Sequence, residues 1–412
     1  MRILLLGINY VPEPTGIGPF TAELAEYAVA MGHQVCAVVA FPYYPEWRIQ
    51  PAYSGRIAMR EEIRGVSLRR CRLFIPRRQT LLGRSLHDLS FTVSALVPAL
   101  RGGPYDVVHV IAPPPTLALT GWVASRIHGA RLIITVQDIA LDLAEGLGFV
   151  RGRRLVAALH TFERWLLDRA ETVTVISESF RARLLDHGLP AAKIRVLPNW
   201  IDTAWLKPMT TPRFRRAHGL AADAFVVLYC GTLGAKQGLE NLIAAGRQVA
   251  NREVVILIVG DGPSVAGLHR AAAGAPNVRF LPLQPRDELP AMLASADLLF
   301  IGQRSGVVAS VLPGKLLHYM AAGRPILAAV HPLSATARLV AEAGCGVVVP
   351  AEDPGTLAGA IDRLGAAPGE LQALGRSGRY FAERCFAREA ILPRYIDLLE
   401  RHEPQESYRR AS

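Results

Sequence analysis

Closely spaced cysteines are missing from this sequence. The five it has, Cys36, Cys71, Cys230, Cys345 and Cys385, are an odd number, lie far apart and include no Cys-x-x-Cys pair. That pattern argues against structural zinc and a disulfide framework, and for a reducing compartment. Long apolar runs are missing too: no stretch reaches the roughly eighteen residues that a membrane-spanning helix needs. Met1 to Tyr10 is apolar but short, and Val11-Pro12-Glu13-Pro14 follows it without a small-residue cleavage site. It reads as a first strand and not as a signal peptide. No zinc finger, RNA-recognition motif or basic heptad pattern accompanies the charge, which argues against nucleic acid as a partner.

What is present is a chain of 412 residues, half of them apolar and a fifth charged. That is too long for one core, so two domains are expected. The net charge is +11. Residues 1–200 hold 23 Lys and Arg against 16 Asp and Glu, and the remainder 23 against 19. The basic excess leans to the first half, where nearly all of it is Arg, and it implies anionic partners: phosphorylated substrates or an acidic membrane surface.

The chain opens as a strand over Arg2–Gly7, a loop carrying Gly16 and Gly18, a helix over Phe20–Met31 and a strand over Gln34–Ala40, which is a βαβ unit. Gly16-Ile17-Gly18 lacks the third glycine of a dinucleotide fingerprint. The loop is either a plain turn or a place where backbone approaches a ligand closely. Phe41-Pro-Tyr43-Tyr44-Pro-Glu-Trp47 is too rich in proline for a helix or a central strand. It fits a sugar-stacking or lipid-facing surface as well as ordinary surface packing. Arg69, Arg70, Arg72, Arg77, Arg78 and Arg84 crowd one region, and Leu81 to Leu100 beside them has a broad apolar face. Arg151 to Arg154 before Leu155–Leu167 repeats that pattern. Both fit either a membrane-surface element or core-facing helices with solvated arginines.

His109 lies near the end of a strand over Tyr105–Val110. Arg131–Val136 is a strand, and Gln137, Asp138, Asp142 and Glu145 follow it, at the strand end where α/β sheets place their chemistry. After Pro198-Asn199-Trp200 the pattern restarts, with a strand over Phe225–Tyr229 running into Gly231-Thr232-Leu233-Gly234-Ala235-Lys236-Gln237-Gly238. Val254–Val259 is closed by Gly260-Asp261-Gly262. Near the end of this half, Pro313-Gly314 precedes a short helix from Lys315 to Met320, and Gly323 ends it. Pro and Gly at those places are the expected helix punctuation. A helix start with an added lysine suits a phosphate, although a helix that merely joins two strands looks the same. Two αβ halves, each with a Gly-rich first loop, predict two doubly wound domains facing one cleft.

Taken together, Gly7-Ile8-Asn9-Tyr10, Thr15-Gly16-Ile17-Gly18, Pro42-Tyr43-Tyr44-Pro45, Gln137-Asp138, Pro198-Asn199-Trp200, Lys236-Gln237-Gly238-Leu239-Glu240, Gly260-Asp261-Gly262 and Leu312-Pro313-Gly314-Lys315-Leu316 resemble family 4 of the retaining glycosyltransferases. The likeness runs from Arg2 to about Leu398 and is greatest to the branch that builds colanic-acid-type exopolysaccharide and O-antigen units. The resemblance implies the GT-B fold: an acceptor domain over 1–198, a nucleotide-sugar domain over 199–385, and a tail over 386–412 whose helix returns to the first domain. It implies a UDP- or GDP-linked sugar donor and a polyprenyl-diphosphate-linked acceptor. It also implies a cytoplasmic protein, peripheral on the inner face of the membrane. With no Asp-x-Asp pair anywhere, a metal-independent donor site is expected. The alternatives on this fold are a sugar-nucleotide 2-epimerase and a non-catalytic scaffold.

The roles implied follow the matched positions. Gly16, Gly18, Gly231, Thr232, Lys236, Gln237, Gly260, Lys315, Leu316 and His318 would bind the donor, since charge developing on the diphosphate needs cations and N–H donors. Asp138 and Gln137 would be catalytic, Asp138 accepting a proton from the acceptor or only orienting it. Tyr43, Tyr44, Arg77, Arg78 and Arg84 would face acceptor or membrane. Departures stand beside the matches. Ser310 and His318 replace two family glutamates, Gln137 replaces a common histidine, Thr232 an arginine, and Gln237 a lysine with Lys236 adjacent. A rearranged site is expected rather than the family's standard contacts.

Overall fold

The computed structural model describes residues 1–14, 16–77, 80–139, 153–306 and 313–400. Thr15, Arg78, Asp142, Glu145, Arg151, Ser310 and Leu312 lie outside the described residues.

The strands are β1 (Arg2–Gly7), β2 (Gln34–Ala40), β3 (Ala58–Ile63), β4 (Val66–Cys71), β5 (Val107–Ala112), β6 (Arg131–Val136), β7 (Thr172–Val175) and β8 (Ile194–Val196) in a first sheet. Its order is β3-β4-β2-β1-β5-β6-β7-β8, and every neighbour pair but β3–β4 is parallel. The second sheet holds β9 (Phe225–Cys230), β10 (Val254–Val259), β11 (Val278–Leu281), β12 (Leu298–Gly302), β13 (Ile326–Ala329) and β14 (Gly346–Val349). Its order is β11-β10-β9-β12-β13-β14, all parallel.

The near-continuous apolar runs follow from that arrangement. Val226, Leu228 and Cys230 pack into one core with Leu257, Leu299 and Ile326, while Val227 and Tyr229 pack into another with Ile256, Phe300 and Leu327. Alternate residues thus face opposite sides, and helices bury both, as parallel sheets require. Each sheet reverses its winding once, between β1 and β5 and between β9 and β12. Ligand sites of doubly wound sheets form at the strand ends there.

The chain divides into two compact units, Met1–Asn199 joined by the segment from Glu389, and Trp200–Arg388. These limits lie one and three residues beyond the 198 and 385 expected from the sequence. The last helix, Arg388–Glu400, packs on the first unit. Tyr395 donates its hydroxyl to the Leu197 carbonyl at 3.2 Å, Arg131 donates to the Leu399 carbonyl at 2.8 Å, and Glu400 lies 3.0 Å from His33. Among the described residues no helix is long and apolar enough to cross a membrane.

The arginine cluster needs correction. Arg69 and Arg70 belong to β4 and are not surface cations. Val66, Leu68 and Arg70 alternate inward, and Arg70 is 1% exposed. It pairs with Glu61, donates to the carbonyls of Ala40 and Val11, and lies over the Tyr53 ring. Arg69 donates to the carbonyls of Pro98 and Arg101. A guanidinium with several donors ties loop carbonyls inside the protein. Arg72, Arg77 and Arg84 are exposed.

Candidate active site

In the second unit, β9 ends at its sheet's reversal point and delivers Tyr229 and Cys230 into the turn at Gly231. Gly231 has φ +130°, a conformation that excludes ordinary side chains. A Cβ on Gly260 would stand 1.9 Å from the Gly231 carbonyl oxygen, and one on Gly262 2.5 Å from that of Leu233. Two glycine turns therefore interlock backbone to backbone at the ends of β9 and β10.

Over them lies Lys315, the first residue of helix Lys315–Ala321. Its ammonium sits 3.7 Å from the centre of the Tyr229 ring and 3.2 Å from where a Gly231 Cβ would be. The half-buried amine has its pKa pulled down to about 7, chiefly by burial, with the Cys230 thiol opposing and Lys236 adding to the shift. Tyr229 is fixed from the other end, its hydroxyl donating to the Thr232 carbonyl at 2.7 Å. Gln237 accepts from the Gly234 N–H at 3.1 Å, and Arg304 donates to the Ala235 carbonyl at 2.7 Å. These bonds fix the loop from Gly231 to Gly238 beside the Lys315 ammonium, which pairs with no carboxylate among the described residues. A cation on an aromatic face is attracted by the ring, and the arrangement leaves the ammonium able to meet an anion.

Sequence reasoning missed Tyr229, because an aromatic residue near the end of an apolar strand carries no signal apart from core. Leu316 is a correction. It is fully buried in the core and its N–H donates to the Pro313 carbonyl, so it packs the helix instead of lining the site. His318 is half-buried with Nδ1 3.0 Å from the Gly314 carbonyl, and burial lowers its pKa, so it is neutral at pH 7. The helix has only two turns, so the positive charge here is that of Lys315 far more than of the helix end.

In the first unit, β1 also ends at a reversal point. The loop after it is organised by Glu13, which is 1% exposed. Its carboxylate accepts from the N–H groups of Tyr43 and Tyr44, both at 2.9 Å, and from the Asn9 amide at 2.8 Å. Burial raises its pKa, and these three donors oppose the rise. Gly18 leaves room for Tyr10 and Glu13, and Gly16 (φ +75°) lies under the Tyr44 ring. Glu13 thus joins the glycine loop to the aromatic loop. Nothing in the sequence flagged it, since two of its three partners, Tyr43 and Tyr44, are about thirty residues away. Tyr43 is 4% exposed and packs edge-on to Trp47 and His87. It anchors the aromatic loop from inside, which corrects its reading as a surface residue, while Tyr44 is half-buried.

At the end of β6, Gln137 is buried and Asp138 half-buried. Gln137 bonds reciprocally with Asn199. His109 lies inside β5, 2.7 Å from the Thr135 hydroxyl, with burial lowering its pKa to about 4. It is a neutral core residue and no base.

Residues 15–200 match the Glycosyl transferase 4-like domain, and residues 224–366 match Glycosyl transferases group 1. The chain is 32% identical over 408 residues to the putative colanic acid biosynthesis glycosyl transferase WcaI of Escherichia coli K12, covering 96% of this chain and 99% of that protein. It is 28% identical to 2-deoxystreptamine glucosyltransferase of Streptomyces kanamyceticus, over 67% of this chain and 74% of the other. Among solved structures it superimposes on sucrose-phosphate synthase from Thermosynechococcus elongatus with a TM-score of 0.77 at 21% identity, covering 97% of this chain and 98% of that one. On Anabaena HepE in complex with UDP-glucose the TM-score is 0.72 at 20% identity, covering 97% and 100%. The chain has the GT-B fold and belongs to the group 1, family 4 glycosyltransferases.

Proposed function

We propose that this glycosyltransferase is a retaining, metal-independent enzyme that moves a sugar from a UDP- or GDP-linked donor to a polyprenyl-diphosphate-linked saccharide. It would work on the inner face of the cytoplasmic membrane, in the assembly of a colanic-acid or O-antigen type of polysaccharide. The similarity to the colanic acid enzyme of E. coli supports the pathway.

The observation that carries the lipid-linked acceptor is the outer face of helix Leu81–Leu100. Leu82, Leu86, Leu89, Val93 and Val97, spaced three and four apart, are 46–70% exposed. Arg72, Arg77 and Arg84 are exposed in the same region. Contiguous exposed apolar side chains beside cations suit the boundary of an anionic bilayer. On the donor side, the Lys315 ammonium would meet the diphosphate and stabilise the charge left as the sugar departs. Lys236 would add a second cation, with Gly231, Thr232, Gln237, Gly260 and His318 around the nucleotide. Gly16 and Gly18 would let backbone approach a ligand closely. Asp138 would orient the acceptor hydroxyl, beside the Gln137 amide that Asn199 holds.

The test is transfer from UDP- and GDP-hexoses to a polyprenyl-diphosphate sugar in anionic vesicles, with and without EDTA. The expected result is a product that keeps the donor's anomeric configuration, insensitive to EDTA. Vesicle binding should be lost in Leu86→Ser/Leu89→Ser. Equal transfer to a water-soluble acceptor, or loss of activity in EDTA, would count against it.

A further inference from the structure

We propose that His160, Glu163 and His187 form a binding site for one zinc-class divalent cation in the first unit. His160 and Glu163 stand three residues apart on helix Arg153–Asp168 and so share one face of it. His187 follows helix Glu178–Asp186, its N–H donating to the Arg183 carbonyl. The two helices bring the imidazole rings of His160 and His187 to 4.3 Å between centres. One potential ligand atom from each of the three residues lies within 4.8 Å of the other two, and His160 Nδ1 is 3.9 Å from Glu163 Oε2. Tetrahedral zinc bonds of about 2.0–2.1 Å place ligand atoms roughly 3.3 Å apart. Closing the triad therefore takes side-chain shifts of about an ångström, within the spread of ordinary rotamers.

The donor set determines the class of ion. Two imidazole nitrogens and one carboxylate oxygen suit zinc and its borderline neighbours, whereas magnesium and calcium want oxygen alone. Glu163 is 7% exposed and supplies the one negative charge. The Arg164 guanidinium lies against Gly188, next to His187, so a bound ion would share its surroundings with an arginine. Three protein ligands leave a fourth position for water.

The consequence is mechanical. Helix Arg153–Asp168 carries the exposed rings of Phe162 and Trp165, stacked 6.1 Å apart, with Arg169 over Trp165 and Trp122 edge-on to it. A cation held by His160, Glu163 and His187 clips this aromatic face to the end of the next helix. The inference is independent of the donor and acceptor proposed above.

The experiment uses the full chain, treated with EDTA and desalted. Zn2+ is titrated by calorimetry and by thermal unfolding, and Co2+ by visible absorption. One equivalent of Zn2+ should bind and raise the melting temperature, Mg2+ should do neither, and Co2+ should give the intense bands of a four-coordinate site without sulfur charge transfer. His187→Ala and Glu163→Gln should each weaken Zn2+ binding by about tenfold or more, because each removes one of three ligands. Their fold is checked by circular dichroism. Absence of stoichiometric binding would overturn the proposal. So would unchanged affinity in His187→Ala, or sulfur charge-transfer bands in the wild type, which would place the metal at a cysteine.

Discussion

Gln137 and Asn199 clasp each other through both ends of their amides, at 2.9 Å from Gln137 Nε2 to Asn199 Oδ1 and 2.7 Å from Asn199 Nδ2 to Gln137 Oε1. Gln137 closes β6 and Asn199 is the residue at which the first unit hands the chain on. Because Gln137 is 6% exposed, Asn199→Ala strands a buried amide. The expected cost is about 1–3 kcal/mol, read as a lower urea midpoint with an unchanged slope. Asn199→Asp keeps the acceptor and loses the donor, so it should fall between the two.

If Lys315 meets the donor diphosphate as proposed, donor affinity should depend on pH. Its pKa of about 7 in the free protein leaves the amine largely neutral at pH 8. A bound diphosphate favours the ammonium and raises that pKa. Binding therefore takes up a proton above pH 7, and affinity for UDP or GDP should fall as pH rises from about 7 to 9. Calorimetry in buffers of different ionisation enthalpy reads the proton directly. Lys315→Met should flatten the pH profile and weaken binding by roughly 1.5–3 kcal/mol, the range for a hydrogen bond to a charged group. A profile unchanged by the substitution would remove Lys315 from the diphosphate.

The interlocked turns give a contrast between two glycines. Gly260 has φ +149°, and its Cβ would collide with the Gly231 carbonyl oxygen. Gly260→Ala should cost roughly 3 kcal/mol or more, since backbone cannot move aside as a side chain does. Gly359 lies in helix Pro354–Gly365 with nothing within 4 Å of its Cβ position. Gly359→Ala should stabilise by up to about 1 kcal/mol. Thermal unfolding of both variants with and without nucleotide checks the pair.

Asp88 titrates in the wrong range for a carboxylate. Burial raises its pKa to about 7, with Arg84 opposing. An unfolded aspartate ionises near 4. The stability contribution of the protonated group is present below about pH 4 and is lost as pH rises through about 7. Asp88→Asn should therefore raise the melting temperature at pH 8 and change it little at pH 4. An equal effect at both values would show that the carboxylate is not desolvated.

Much of the fold was legible because buried parallel strands write themselves as unbroken apolar runs. Arg131–Val136 and Val254–Val259 have the bounds that pattern gives. The hairpin of β3 and β4 was not legible. Ala58–Ile63 alternates with charged residues at the sheet edge, and Arg70 enters the core only because Glu61 and two carbonyls receive it. The charge of a side chain is local, whereas its partners lie across the fold. The same holds at the site. Gly231, Gly260 and Lys315 could be singled out from punctuation and charge, while Glu13 and the Tyr229 ring matter through neighbours that sequence spacing does not reveal.

The return of helix Arg388–Glu400 to the first unit also makes the second unit a guest inserted in a host. Its two ends are stitched together where Ile201 donates to the Phe386 carbonyl and Arg388 to the Ile201 carbonyl, and Arg388 pairs with Asp202 at 2.9 Å. The guest can be cut out as one continuous piece with its ends already joined. The host cannot be obtained by stopping the chain at Asn199, because the seats of Tyr395 and Leu399 would be left bare. Genetic dissection of this chain is therefore one-sided: trimming the C-terminal end strikes first at the unit that the N-terminus builds.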